Sequence, residues 1–184
     1  MFGIGSLGTP LHPLVVHFPI VLSVLLPISA LVALWAIRKG TTARRAWSFI
    51  VAIAAALTLS AYVATETGEE EEDRVERVVA KGAIHGHEEA AERFLVLSGV
   101  LLAVAGVGFA PRAVGEAARL LATVGAFGLL AAGVQVGHSG GELVYRHGAA
   151  SAYTEGGAVD GTRAPARVVT APADSGGRSD GDHR

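Results

Sequence analysis

The sequence contains no cysteine, a single methionine and few charged residues. Without cysteine, the chain has no disulfides, no thiolate metal ligands and no C-x-x-C-H attachment site for c-type haem. Any metal or haem must therefore be held by histidine, carboxylate, tyrosine or methionine, and Met1 is the only methionine. The net charge of −2 offers no basic surface to neutralise phosphates, which argues against a nucleic-acid partner.

Charged residues make up 17% of the chain, against roughly 25% in an ordinary soluble domain. The low charge reflects four apolar runs, and at 1.5 Å per residue each approaches or exceeds the length that crosses a hydrocarbon core of ~30 Å. No Lys or Arg precedes Arg38, so the first run lacks the basic region of a signal peptide and is interpreted as a retained span. The predicted fold is all-α, an integral membrane four-helix bundle with antiparallel helices embedded in a lipid bilayer. The predicted spans are residues 14–37, 46–65, 94–110 and 117–137.

The second span carries small residues every four positions, at Ala52, Ala56, Ser60 and Ala64. Such a stripe is typical of helices that pack closely in lipid. We therefore predict that this face of the helix contacts its neighbours.

Two segments outside the spans differ in composition from the rest of the chain. Residues 66–93 hold ten acidic and four basic side chains. After Gly148 the chain is rich in Gly, Ala, Pro, Ser, Asp and Arg and has few large apolar residues, a composition that cannot bury enough surface to fold. We predict one membrane domain over residues 1–148 and a disordered tail over 149–184.

The short loops predict the orientation in the membrane. Residues 38–45 hold four basic and no acidic side chains, and the turn at 111–119 holds Arg112 and Arg119. The positive-inside rule places both loops in the cytoplasm of a bacterial inner membrane. An even number of spans then puts both termini and residues 66–93 on the outer side.

Six of the seven histidines fall at the predicted outer ends of the spans. A histidine at the entrance to an apolar segment is costly unless it is paired, hydrogen-bonded or bound to a ligand. This one-sided clustering is the strongest functional signal in the sequence. The six are His12, His17, His85, His87, His138 and His147.

The first functional hypothesis is haem b binding and electron transfer. His17 lies near the start of the first span and His138 at the end of the fourth, and the first and fourth helices of such a bundle are commonly neighbours. Two imidazoles from facing helices suffice to hold a b-type haem. We predict His17 and His138 as the axial ligands, with His12, His85 or His87 as substitutes, and a periplasmic or membrane redox partner.

The second hypothesis is a divalent metal site, and the third is a structural subunit without a ligand. His85 and Glu88 share a helix face, and histidine with carboxylate can hold zinc, iron or manganese. The alternative to a metal site is that His85 and Glu88 belong to a solvated, charged helix face beside the membrane. No nucleotide-binding, nucleophile-elbow or H-E-x-x-H motif is present, so nothing supports enzymatic turnover. The candidate metal ligands are His12, His85, His87, Glu88 and His147.

Short motifs lie at both ends of the apolar region: His12-Pro13, His17-Phe18-Pro19, Gly137-His138 through Gly141, Leu143-Val144-Tyr145 and His147-Gly148. They resemble those of DUF2231, a bacterial family of four-span membrane proteins whose function is unknown. The resemblance covers about residues 8–150 and implies the four-span architecture. Domains similar to this one occur beside cytochrome-like modules, which implies a redox setting. No family motif is assigned within residues 66–93, and the tail after residue 150 departs from the family pattern.

Overall fold

The computed structural model describes residues 11–153, and within that range the regular structure is helical. Four of the helices are long and apolar enough to cross a membrane once the short first helix is joined to the second. The all-α, four-span prediction is therefore confirmed. The elements are α1 (His12–Val15), α2 (His17–Arg38), α3 (Ala43–Val75), α4 (Lys81–Val107), α5 (Arg112–Tyr145) and a 3₁₀ helix (Ala149–Tyr153).

The four long helices form a closed ring in which α2 packs on α3, α3 on α4, α4 on α5 and α5 on α2. Short connections make consecutive helices antiparallel. The first of them is a Schellman motif, in which Gly40 has a φ of 102°, its N–H donates to the Ile37 carbonyl, and Thr41 N–H donates to the Ala36 carbonyl. The predicted contact between the first and last spans is present.

The ring buries mainly small and branched side chains and exposes large apolar ones. Val32, Val100 and Val124 are among many apolar residues that point outward, as expected for helices that face lipid tails. The predicted stripe on α3 is wrong in part, because Ala52 and Ala56 are exposed. The buried face of α3 is set instead by its large residues and the alanines beside them. These residues are Trp47, Ile50, Ile53, Ala54, Leu57, Ala61 and Ala64.

At one end of the ring the helices continue well beyond the predicted apolar spans. α3 ends at Val75, beyond the predicted span limit of 65. α4 begins at Lys81, before the limit of 94, and α5 ends at Tyr145, beyond the limit of 137. Glutamate, lysine and arginine are good helix formers and extend a helix outside hydrocarbon at little cost. We call this end, which carries His12, residues 66–93 and residues 138–153, the acidic end.

The predicted tail begins with ordered structure. Ala149–Tyr153 form the 3₁₀ helix, which packs against α3 and α5. Ala149 is buried against Val79 and Ile84 in a small apolar cluster. The remainder of the predicted tail lies outside the described residues.

Candidate functional site

A cavity of about 680 Å³ lies at the acidic end of the ring. Its walls come from α1, α3, α4, α5 and the 3₁₀ helix, and two imidazoles, His12 and His87, contribute to its lining. Most of the remaining wall is apolar or glutamate. The volume falls within the ~300–1,000 Å³ of typical ligand pockets.

The His12 ring is fixed by one face of α3. Its Nδ1 lies 2.8 Å from the carbonyl oxygen of Ala64, and because a carbonyl only accepts, Nδ1 carries the proton. One turn further on, Gly68 leaves room for the ring, since a Cβ there would lie 3.2 Å from its Cε1 and Nδ1 atoms. Neutral His12 therefore keeps its lone pair on Nε2.

The His87 ring is fixed in the same way by α5. Its Nδ1 lies 2.9 Å from Ser139 Oγ, while that hydroxyl donates its own proton to the Val136 carbonyl at 2.9 Å. We assign the His87 proton to Nδ1 from this arrangement. Gly140 supplies the space, because a Cβ there would lie 3.1 Å from His87 Cε1.

The two rings are close neighbours at the acidic end and are arranged edge to face. Their centroids are 6.3 Å apart and their planes are nearly perpendicular, at 84°. Each ring uses Nδ1 for a hydrogen bond to a neighbouring helix, so the nitrogen left for a ligand is Nε2 in both. An imidazole whose Nδ1–H is held in this way is fixed in orientation and tautomer, as metal-bound histidines commonly are.

Glutamates give the cavity a negative charge. Glu69 and Glu72 line it from α3, and Glu88 and Glu92 line it from α4. Such a wall favours cations over anions. Within residues 11–153, however, no three His, Asp or Glu side chains are grouped closely enough to hold a metal ion.

The structure divides the candidate residues into two sets. His12, His87 and Glu88 line one cavity, whereas the side chains of the other four histidines are exposed and lie outside it. His138 is 3.8 Å from Glu142 on its own helix, and His85 is 3.7 Å from Glu88. The latter pair confirms that His85 and Glu88 share a face. The exposed histidines are His17, His85, His138 and His147.

Sequence reasoning missed the residues that hold His12 and His87. Ala64 and Gly68 contact the His12 ring, and Glu71 accepts a hydrogen bond from the His12 backbone N–H at 3.2 Å. Successive intervals of four and three place these residues on one face of α3. That spacing was the available signal, but Glu71 was hidden inside an acidic run. Ser139 lies in a glycine-rich stretch, where nothing in the sequence shows which neighbour it bonds.

Comparison with known proteins agrees with this architecture. No curated protein and no solved structure matches the chain. A family model described as a predicted membrane protein, DUF2231, matches residues 8–152. That match includes α1 to α5 and all of the cavity lining except Tyr153, so the chain belongs to the DUF2231 family of membrane proteins.

Proposed function

We propose that the protein binds haem b at the acidic end of the bundle, where His12 and His87 would hold it, and transfers electrons at the membrane surface. The observation that carries the proposal is the separation of the two imidazole centroids, 6.3 Å. The haem iron would be held by the two Nε2 atoms, which the hydrogen bonds at Nδ1 leave free.

Three features of the cavity support haem. Two histidines are a complete protein ligand set for a b-type haem, so a third protein ligand is not required. The wall is mainly apolar, and the glycines beside the rings, Gly68 and Gly140, let the imidazoles lie close to the helix backbones. Haem would supply one-electron oxidation and reduction.

The chain's own residues would hold the ligands and set their electronic properties. The Ala64 carbonyl and the Ser139 hydroxyl accept the two Nδ1–H bonds, which fix the orientation of each Nε2. Glutamates near the cavity place negative charge beside the site and would favour its oxidised, more positive form. The positive-inside rule would expose this end on the outer side of a bacterial inner membrane, toward a periplasmic or membrane redox partner.

A divalent metal ion is the second candidate, and the glutamates favour it. Glu88 lines the same cavity as both histidines, and a change of its rotamer would add a carboxylate to the imidazoles. The same negative charge opposes the propionates of haem. This alternative requires the side chains to regroup around the ion.

One preparation distinguishes these proposals. The full chain is expressed with ample haem and metals, purified in detergent, and examined by reduced-minus-oxidised absorption and by metal analysis. Soret and α bands at one haem per chain support haem binding. A stoichiometric divalent metal without those bands supports the second candidate. If neither signal is found, the protein is a structural subunit without a ligand.

A further inference from the structure

Glu71 connects three parts of the acidic end through one carboxylate. Its Oε1 accepts hydrogen bonds from the backbone N–H groups of Leu11, at 2.7 Å, and His12, at 3.2 Å. Its Oε2 accepts the hydroxyl proton of Tyr153 from the 3₁₀ helix. The start of α1, the C-terminal end of α3 and the end of the described chain therefore meet at one side chain.

The contact with the start of α1 complements the one that holds the imidazole. α3 binds the backbone of His12 through Glu71 and its side chain through Ala64. Negative charge next to the free N–H groups at a helix start is favourable. Since α1 is a single turn with no side-chain N-cap of its own, Glu71 supplies the acceptor that the local sequence lacks.

Tyr153 is bound by two residues of α3 at once. Besides its hydrogen bond to Glu71, its ring lies 5.5 Å from the guanidinium carbon of Arg74. Burial and the adjacent carboxylate raise the pKa of Tyr153 above its usual value of 10.0. The phenol therefore remains a donor throughout the physiological pH range. Tyr153 also lines the cavity, together with Ala149 and Ala150.

We propose that Glu71 is the positioning residue for His12 and that Tyr153 locks Glu71 in that role, so that the 3₁₀ helix serves as a latch on the histidine site. The proposal rests on the proposed function only in taking His12 as a ligand. The latch itself consists of hydrogen bonds within the chain and does not depend on which ligand is bound.

The test is amide hydrogen exchange followed by mass spectrometry on the full chain in detergent. The variants are Glu71→Ala, Glu71→Gln and Tyr153→Phe, with Glu70→Ala as control because Glu70 is exposed and adjacent. Loss of a hydrogen bond to a charged group should speed exchange in a peptide covering residues 11–16 by about tenfold in Glu71→Ala. Glu71→Gln keeps an acceptor oxygen and should restore most of the protection.

Tyr153→Phe keeps the ring over Arg74 and removes only the hydroxyl, so exchange in residues 11–16 should rise, though by less than in Glu71→Ala. Exchange in residues 17–38 should be unchanged in every variant. The proposal is overturned if Glu71→Ala leaves residues 11–16 as protected as in the wild type, or if exchange rises equally across α2.

This readout needs no haem. A wild type without Soret bands would therefore refute haem binding and leave the latch intact. If haem is bound, Glu71→Ala should also lower its occupancy while Glu70→Ala does not. Normal haem retention in Glu71→Ala, alongside faster exchange at residues 11–16, would overturn the positioning role.

Discussion

His12 and His87 lie on α1 and α4, yet their ring centroids are 6.3 Å apart, and each ring donates its Nδ1–H to an acceptor on another helix. The acceptors are a backbone carbonyl of α3 and a hydroxyl of α5. Four helices must therefore be correctly packed before the two Nε2 atoms can share a ligand. The pair is a product of the tertiary structure.

Ser139→Ala should weaken ligand binding without unfolding the bundle. It removes the acceptor for His87 Nδ1–H, and loss of such a supporting contact typically lowers metal affinity by about 10–100-fold. Haem content after dialysis against apomyoglobin measures the effect. Ser48→Ala is the matched control, since Ser48 is exposed and bonds only within its own helix. Equal haem loss in both variants would contradict the assigned role of Ser139.

Gly68→Ala should displace the His12 ring. The added Cβ would lie 3.2 Å from two ring atoms, so the imidazole must shift by a few tenths of an ångström and the ligand geometry worsens. Gly86→Ala is the control, because a Cβ there meets nothing within 4 Å and should stabilise α4 by about 0.5–1 kcal/mol. Haem occupancy and thermal stability in detergent report the two effects. Full haem retention in Gly68→Ala would contradict the claim that Gly68 leaves room for the His12 ring.

Trp47→Phe should destabilise the bundle by about 1–3 kcal/mol, because a fully buried side chain loses volume and its hydrogen bond. Trp47 is 0% exposed, and its Nε1 donates to the Ala105 carbonyl at 2.9 Å. The other tryptophan, Trp35, is 62% exposed and makes Trp35→Phe a matched control. Unfolding in increasing dodecyl sulfate, followed by circular dichroism, measures both. Similar dodecyl sulfate midpoints of unfolding for the two variants would contradict the assignment of Trp47 to the buried core.

The orientation can be tested with introduced cysteines, because the chain has none of its own. Glu70→Cys lies at the acidic end and Thr41→Cys in the basic loop, and both positions are exposed. A maleimide that cannot cross the membrane should label the first in intact cells and the second only after permeabilisation. The reverse pattern would place the histidine cavity in the cytoplasm.

The four-span architecture was predictable because it depends on composition and run length, which are local properties. Hydropathy fails where a helix leaves the membrane, since charged residues at the end of α3 and the start of α4 continue the helices without being apolar. The small-residue stripe was misplaced because Trp47 and Leu57 decide which face of α3 is buried.

The site was predictable only as a set of histidines at one end. His85 and His87 are two positions apart, so they point to different sides of α4. The sequence does not determine the rotation of α4 about its axis, and therefore does not show which of the two faces the bundle. The structure places His87 inward and His85 outward. Glu71 and Tyr153 were not predictable as partners, because their contact joins residues 82 positions apart.

The most direct test compares two pairs of histidine variants in one assay. Haem content and reduced-minus-oxidised spectra are recorded for His12→Ala, His87→Ala, His17→Ala and His138→Ala, with circular dichroism to confirm that each remains helical. The Soret and α bands should be lost in the first two variants and retained in the last two. Bands that survive in His12→Ala and His87→Ala, or disappear only in His17→Ala and His138→Ala, would contradict the proposal that His12 and His87 hold haem.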